Sequence, residues 1–567
     1  MFKEQLDKLS ISAKEAVIDG TYNGLDDFKN YLHIERNVEK ALEEIVHRSV
    51  NSSKPKLILI SGNVGDGKSH MLAKLFQKYP TEMLQISVRN DATESNFVSK
   101  TWLDELTDFF SPFSDDNLNN SSAKTTNIVA INLGVLSKFL AEKGGSFNEL
   151  NQFVLNKGIL DEYSYDNNYV EESTFQFINL ADFKLFSLSS DSIKSDLIRG
   201  ILKKITATKE ENPIYNSFIS YYKDHPYKDN CVVRHNYLLL SNDEVQENIT
   251  SLIVSALVKD KLILSIRDLL NFIYDIIVPF SQQNLSSEEL LLNTGFSSSI
   301  FIIRNSIGYK LFEAAGRSPL FTSISSLDPL RIRNEQIDKL IFKIQTSNSP
   351  KPIFDEENVS YPPTLFSVAN DEIKDQLTKY FVRTRFIEKG VTSSIFKDFI
   401  RYLFAYYSGD QITLKHLYKD VILSIQKWNG TGRKHGEVNI PIGKHQITYN
   451  VMQKIKFEPN IISKTSKQSI VDEFDYTLAV GMKVDDKYFS ITLDFNLYSL
   501  IQKIKSGYSP NKKDKEDHLD FQNFVNLIID KSTGTKDELI FEKIKGNSVE
   551  RFELSLDAYG DYIFKKA

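Results

Sequence analysis

"LILISGNVGDGKSHMLAKL", residues 57–75, sets an apolar run directly against a glycine-rich turn and then an amphipathic segment. The preceding "KPKLILISG" reads as a short buried strand ending in glycine, and "KSHMLAKLFQKY" continues with Met71, Leu72, Leu75 and Phe76 at helical spacing. Between them Gly62, Gly65, Gly67, Lys68 and Ser69 fit the spacing G-x-x-x-x-G-K-[ST]. Each residue type has a chemical reason in a phosphate cradle. Glycines let backbone N–H groups turn inward, the helix start adds a favourable dipole, lysine reaches terminal phosphates, and the serine hydroxyl suits Mg2+. The segment Gly62, Asn63, Val64, Gly65, Asp66, Gly67, Lys68, Ser69 and His70 is therefore the expected ATP-binding loop, with Ser69 as the Mg2+ ligand.

Working outward, residues 1–50 read as a helical leader, with Val38, Leu42, Ile45 and Val46 at helical spacing ahead of the strand. Further strand-like runs are "EMLQISV" (82–88), "NIVAINL" (127–133), "FQFINLA" (175–181) and "NYLLLSN" (236–242). Strands alternating with helical segments predict a mostly parallel sheet covered on both faces, over about residues 51–260. The fold class expected is α/β, a P-loop NTPase sheet of AAA-like type with a helical lid at 261–345. Proline-rich "TSNSPKPIFDEENVSYPPT" (346–364) reads as a linker, 365–430 as a helical region, and 431–567 as an α+β domain with antiparallel strands.

A length of 567 residues predicts several domains, and 41% hydrophobic residues with 38 Phe and 26 Tyr describe a chain able to bury large cores. A net charge of −6 gives no global attraction to nucleic acid, so any DNA contact would come through local patches or a partner. The single cysteine, Cys231, excludes an internal disulfide, and no run of 18 apolar residues occurs. These readings predict a cytoplasmic protein without a membrane partner.

Hydrolysis requires more than a cradle, because an acid at a neighbouring strand tip must hold Mg2+ and another group must place water. An AAA-type third strand would end in acids, but "NIVAINLG" offers Asn132 and Gly134. Asp91 and Glu94 in "LQISVRNDATES" and Asp182 in "FINLADF" are the substitutes, although capping the helix that begins near "TESNFVSK" is the slightly commoner use of an aspartate placed like Asp91. "NYLLLSND" would set Ser241 and Asn242 at a strand tip where a γ-phosphate sensor stands, or as a helix cap, and Arg267 lies in the lid as a candidate sensor arginine or, at least as commonly, a solvated helix-face one. Lys68, Asp91 and Asn242 form the expected catalytic set. Arg331, Arg333, Arg383 and Arg385 could contact DNA phosphate or a neighbouring ATPase subunit in a homo-oligomer, although salt-bridged helix faces are the commoner use of such pairs. No nuclease or protease signature stands out.

The stretches "ISGNVGDGKSHML", "SVRNDATES", "AINLGVLSKFL", "FINLADFKLF", "SIRDLLNFIYDIIVP", "FVRTRFIEKG" and "LDFNLYSLIQKIKSGYSPN", from residue 60 to about 510, resemble the DptF family, also called DndF, of DNA phosphorothioation-dependent restriction proteins. The resemblance implies the ATPase-like subunit of a bacterial defence module, with DptG-like and DptH-like partners, that attacks DNA lacking a backbone sulfur substitution. It implies nucleotide contacts for Gly62, Gly65, Gly67, Lys68 and Ser69. The degenerate "AINLG" supports an alternative, a nucleotide-gated scaffold with little turnover. A small-molecule kinase shares the loop but does not need the long helical and β-rich additions.

Overall fold

The computed structural model describes residues 2–11, 26–93, 100–120, 124–161, 167–190, 193–286, 289, 298–332, 334–366, 373–390, 393–430, 436–441, 448–464, 469–484, 486–532, 539–545, 548–557 and 559–566. Two compact units divide the chain: residues 1–186 with 195–391, and residues 187–194 with 392–567.

The first unit is built on four parallel strands, β1 (Lys56–Ser61), β2 (Ser87–Arg89), β3 (Thr126–Ala130) and β4 (Phe175–Asn179), in the order β2-β3-β1-β4. Every residue of β1 is buried, and burial on both faces explains why its run from Leu57 to Ile60 is apolar without interruption. Leu57 and Leu59 enter one core with Phe110, Phe139 and Phe147. Ile58 and Ile60 enter the other with Val38, Leu42, Ile45 and Val46 of the leader helix Asn37–Val50 and with Met71, Leu72 and Leu75 of the helix Lys68–Lys78. The leader thus covers the same sheet face as the helix that follows the glycine-rich turn.

Two expectations are corrected. The run at 236–242 is not a strand: it ends the helix Val232–Leu240, where buried Val232, Val233, Asn236, Tyr237, Leu239 and Leu240 recur at helical spacing. A short apolar run flanked by polar residues has no period of its own, and the burial of Val232 and Val233 one turn earlier decides the matter. The sheet consequently has its four strands before residue 180. Residues 346–364 are not a linker either. Prolines open the helix Lys351–Glu356 and the turn Pro363–Phe366, while Ile353, Phe354, Val359 and Leu365 join a core with Ile302, Ile303, Tyr380 and Phe381.

Helices Asp243–Asp260, Ile266–Ile277, Ile307–Glu313, Pro319–Ser325, Glu335–Thr346 and Lys374–Lys389 complete the first unit. The break between units falls after residue 391, inside the stretch read as one helical region.

The second unit begins with helices Ser394–Ser408 and Gln411–Lys427 and carries an antiparallel five-stranded sheet in the order 562–566, 548–556, 539–545, 449–454, 437–440. Strands 487–493, 478–484 and 457–460 form another. A third small sheet receives the hairpin Ser187–Lys194 next to the strand Ile470–Glu473, where Ser187 donates a hydrogen bond to the Asp472 carboxylate. Among the described residues no helix is long and apolar enough to cross a membrane.

Candidate nucleotide-binding site

The turn between β1 and the helix Lys68–Lys78 has backbone geometry that its sequence requires. Gly65 and Gly67 sit at φ +91° and +95°, a region closed to side chains at low cost, and Gly67 is the cap from which the helix starts. Val64 at the tip is 81% exposed, so it contributes backbone alone. Lys68 opens the helix and donates to the carbonyls of Gly62 (2.7 Å) and Asn63 (2.9 Å), folding its ammonium over the mouth of the turn. Burial pulls its pKa down, and the nearby carboxylates of Asp66 and Asp91 oppose that shift. Ser69 follows in the first helical turn and is part-exposed.

Asp66 closes the turn from inside. Its carboxylate accepts from the Asn63 N–H at 2.6 Å, it is 8% exposed, and burial raises its pKa. Its carbonyl points the other way and accepts from Nη2 of Arg36 at 3.0 Å. Arg36, 12% exposed, stands at the start of the leader helix, where Glu39 accepts from its backbone N–H at 3.3 Å and lies 3.8 Å from its Nε. Glu39 also lies 3.3 Å from Nε2 of His33, whose ring stacks on His70 with centroids 5.1 Å apart and a shared hydrogen between Nδ1 and Nε2 at 2.9 Å. Burial, helped by neighbouring cations, lowers His33 to about 4 and His70 to about 3, so both rings are neutral at pH 7. Burial lifts Glu39 to about 7 against the pull of Arg36. His70 is thus not directed at phosphate; it anchors the loop's helix to the leader.

On the other side the lid comes close. A Cβ placed on Gly65 would lie 2.7 Å from Oγ of Ser265 and 3.3 Å from Cβ of Arg267, both at the start of the helix Ile266–Ile277. The Cβ of Arg267 is therefore brought close to the loop.

The candidate acids separate. Asp91 follows β2, is exposed, and acts electrostatically on Lys68; its Oδ1 accepts from N and Oγ1 of Thr93, both at 2.7 Å, in a tight turn. Glu94 and the helix that Asp91 was weighed as capping lie outside the described residues. Asp182, 8% exposed just after β4, is engaged by Nδ2 of Asn167 (3.1 Å) and Nδ2 of Asn179 (2.7 Å), which makes it part of the strand exit. Asn132 leaves β3, the strand beside β1, and caps the helix Leu133–Lys143 by accepting from Val135 N at 2.8 Å.

Asn242 does not stand at a strand tip. It caps the helix Asp243–Asp260, accepting from Glu244 N (2.8 Å) and Val245 N (3.4 Å), because the run before it is helical. Arg383 is buried against Asp328 (2.6 Å) and Glu313 (2.8 Å), and Arg385 pairs with Glu357 (3.0 Å). These two are held in ion pairs within their own unit, the commoner use of such arginines. Arg331 is exposed, and Arg333 lies outside the described residues.

No family model, curated protein or solved structure matches this chain. Arg36, His33 and Ser265 were not legible as loop partners, since nothing in local spacing ties residues 30 before or 200 after the loop to it. The donor set itself suits a nucleoside triphosphate with Mg2+: inward-turning glycine backbone, a lysine that can exchange carbonyl partners for phosphate, a helix start, and a serine hydroxyl.

Proposed function

We propose that the chain is an ATP-binding, ATP-hydrolysing subunit of a bacterial phosphorothioation-dependent DNA restriction complex that acts on unmodified DNA with DptG-like and DptH-like partners. The observation that carries nucleotide binding is the loop from Gly62 to Ser69, with glycines at left-handed φ and Lys68 poised over it. The restriction role rests on the resemblance from residue 60 to about 510.

In this reading the backbone N–H groups of residues 65–69 hold the phosphates, and Lys68 leaves the carbonyls of Gly62 and Asn63 to meet the terminal ones. Bound Mg2+ would be held by the Ser69 hydroxyl and offset charge on the β- and γ-oxygens. Asp91 is the acid best placed to assist, since it is exposed and within electrostatic reach of Lys68, whereas Asp182 is occupied by two asparagines. Arg267 approaches the loop from the lid.

A second reading, a nucleotide-gated scaffold with little turnover, is favoured by Asn132 standing where the strand beside β1 would offer an acid. Phosphate release measured with and without DNA and partner subunits separates the two. Lys68→Ala should abolish ATP binding and protection against foreign DNA while leaving circular dichroism unchanged. Persisting ATP binding by that variant removes the loop from the function.

A further inference from the structure

Arg36 touches the loop at one atom, the Asp66 carbonyl oxygen. The peptide joining Asp66 to Gly67 is planar and trans, so its C=O and N–H point in opposite directions. Holding the carbonyl outward, toward the leader, therefore fixes the Gly67 N–H inward, toward the cradle. Gly67 has no side chain to hold that plane and sits at φ +95°, so the orientation depends on outside contacts. Arg36 can supply such a contact durably: its guanidinium is nearly enclosed, carries a charge at every ordinary pH, and is set by Glu39 from below and by Sδ of Met71 at 3.8 Å. His33, three residues earlier, stacks on His70, so the leader grips the loop and the first turn of its helix at two points.

From this geometry we infer that Arg36 is a positioning residue for the phosphate loop, and that it couples docking of the leader, residues 26–50, to nucleotide occupancy. The inference rests on the loop being a nucleotide site. Coupling is reciprocal: if the docked leader presets the Gly67 N–H for phosphate, bound nucleotide must hold the leader down by the same factor. Arg36 never meets the nucleotide. It acts through the peptide plane, and phosphate affinity is what it changes.

The test compares the full chain with Arg36→Ala, Arg36→Lys and Lys68→Ala, titrating each with ATP and with adenosine and following hydrogen exchange over residues 26–50. Loss of one charge-assisted hydrogen bond predicts ATP binding about tenfold to a hundredfold weaker in Arg36→Ala, with adenosine binding unchanged. Arg36→Lys, which keeps a charged donor, recovers part of the loss, and millimolar methylguanidinium restores Arg36→Ala. ATP slows exchange over residues 26–50 in the wild type and fails to do so in Arg36→Ala. If Lys68→Ala loses ATP while Arg36→Ala binds it as tightly as the wild type, the positioning role is wrong and the loop reading stands. If Lys68→Ala keeps full affinity, the loop reading itself fails. An Arg36→Ala variant that loses ATP and adenosine alike, without response to methylguanidinium, also overturns the inference, since that is the behaviour of a damaged fold.

Discussion

Replacing Lys310 by methionine should make the protein more stable, although it removes a charge beside a buried acid. Lys310 lies in the helix Ile307–Glu313 and is 2% exposed, and its ammonium has no hydrogen-bond partner among the described residues. The nearest help is the Phe280 ring, 5.8 Å from Nζ, and the field of Asp275. Asp275 does not need the lysine: it accepts from Nε and Nη2 of Arg317, both at 3.0 Å, from Gln283 at 2.7 Å and from Asn271 at 3.1 Å. Methionine keeps the length of the side chain and sheds the desolvated charge, which in comparable buried settings gains about 1–4 kcal/mol. The pH dependence gives a sharper signature. Burial pushes the Lys310 pKa well below 10.5, so its folding penalty is complete below the folded value and fades as pH rises toward 10.5. The stability gap between variant and wild type should therefore shrink at alkaline pH, by up to about 1.4 kcal/mol per pH unit. Urea unfolding at pH 7 and pH 10 measures it, and Trp102 and Trp428, one in each unit, separate the two units' transitions by fluorescence. A variant less stable than the wild type, with a gap indifferent to pH, would refute the reasoning.

Other outcomes follow from the same contacts. Gly65→Ala should weaken ATP binding at least about tenfold, because it combines a left-handed φ with a Cβ 2.7 Å from Ser265 Oγ; adding Ser265→Gly should recover part of the loss, whereas strictly additive effects would show that the lid does not press on the loop. Asn242→Ala should cost about 1 kcal/mol of stability through the lost cap and leave turnover per folded molecule unchanged; the reverse pattern would return Asn242 to the catalytic set. The ordinary His pKa of 6.5 falls to about 3 for His70 in the fold, so the unfolded chain takes up a proton that the native one refuses as pH drops below 6.5. Between pH 7 and 5 that residue should remove about 2 kcal/mol of stability, and His70→Gln should flatten the acid limb measured by urea unfolding.

The sequence made the strand, glycine turn and helix around residue 62 readable because each has a local signature: a fully apolar run, glycines at fixed offsets, and leucines at helical spacing. It misread residues 236–242 because a four-residue apolar run carries no period, and whether it is strand or helix is settled by partners in other parts of the chain. The proline-rich stretch at 346–364 misled for a related reason. Proline marks a helix start as readily as a break, and the burial of Phe354 against Tyr380 and Phe381 is a tertiary fact. The loop's own glycines, Lys68 and Ser69 were legible, while Arg36 and Ser265 were not, since their contacts with the loop arise from proximity across the fold.

The hairpin Ser187–Lys194 has a consequence for genetic dissection. It belongs by contact to the second unit but is encoded within the first, where it supplies the neighbour of the strand Ile470–Glu473. A gene fragment beginning at residue 392 would encode a unit lacking two strands of this sheet, with residues 470–473 left as an open edge prone to self-pairing. Splitting the gene at the unit boundary therefore yields two products that are not independent, and complementation between them would require the amino-terminal product to lend its hairpin in trans.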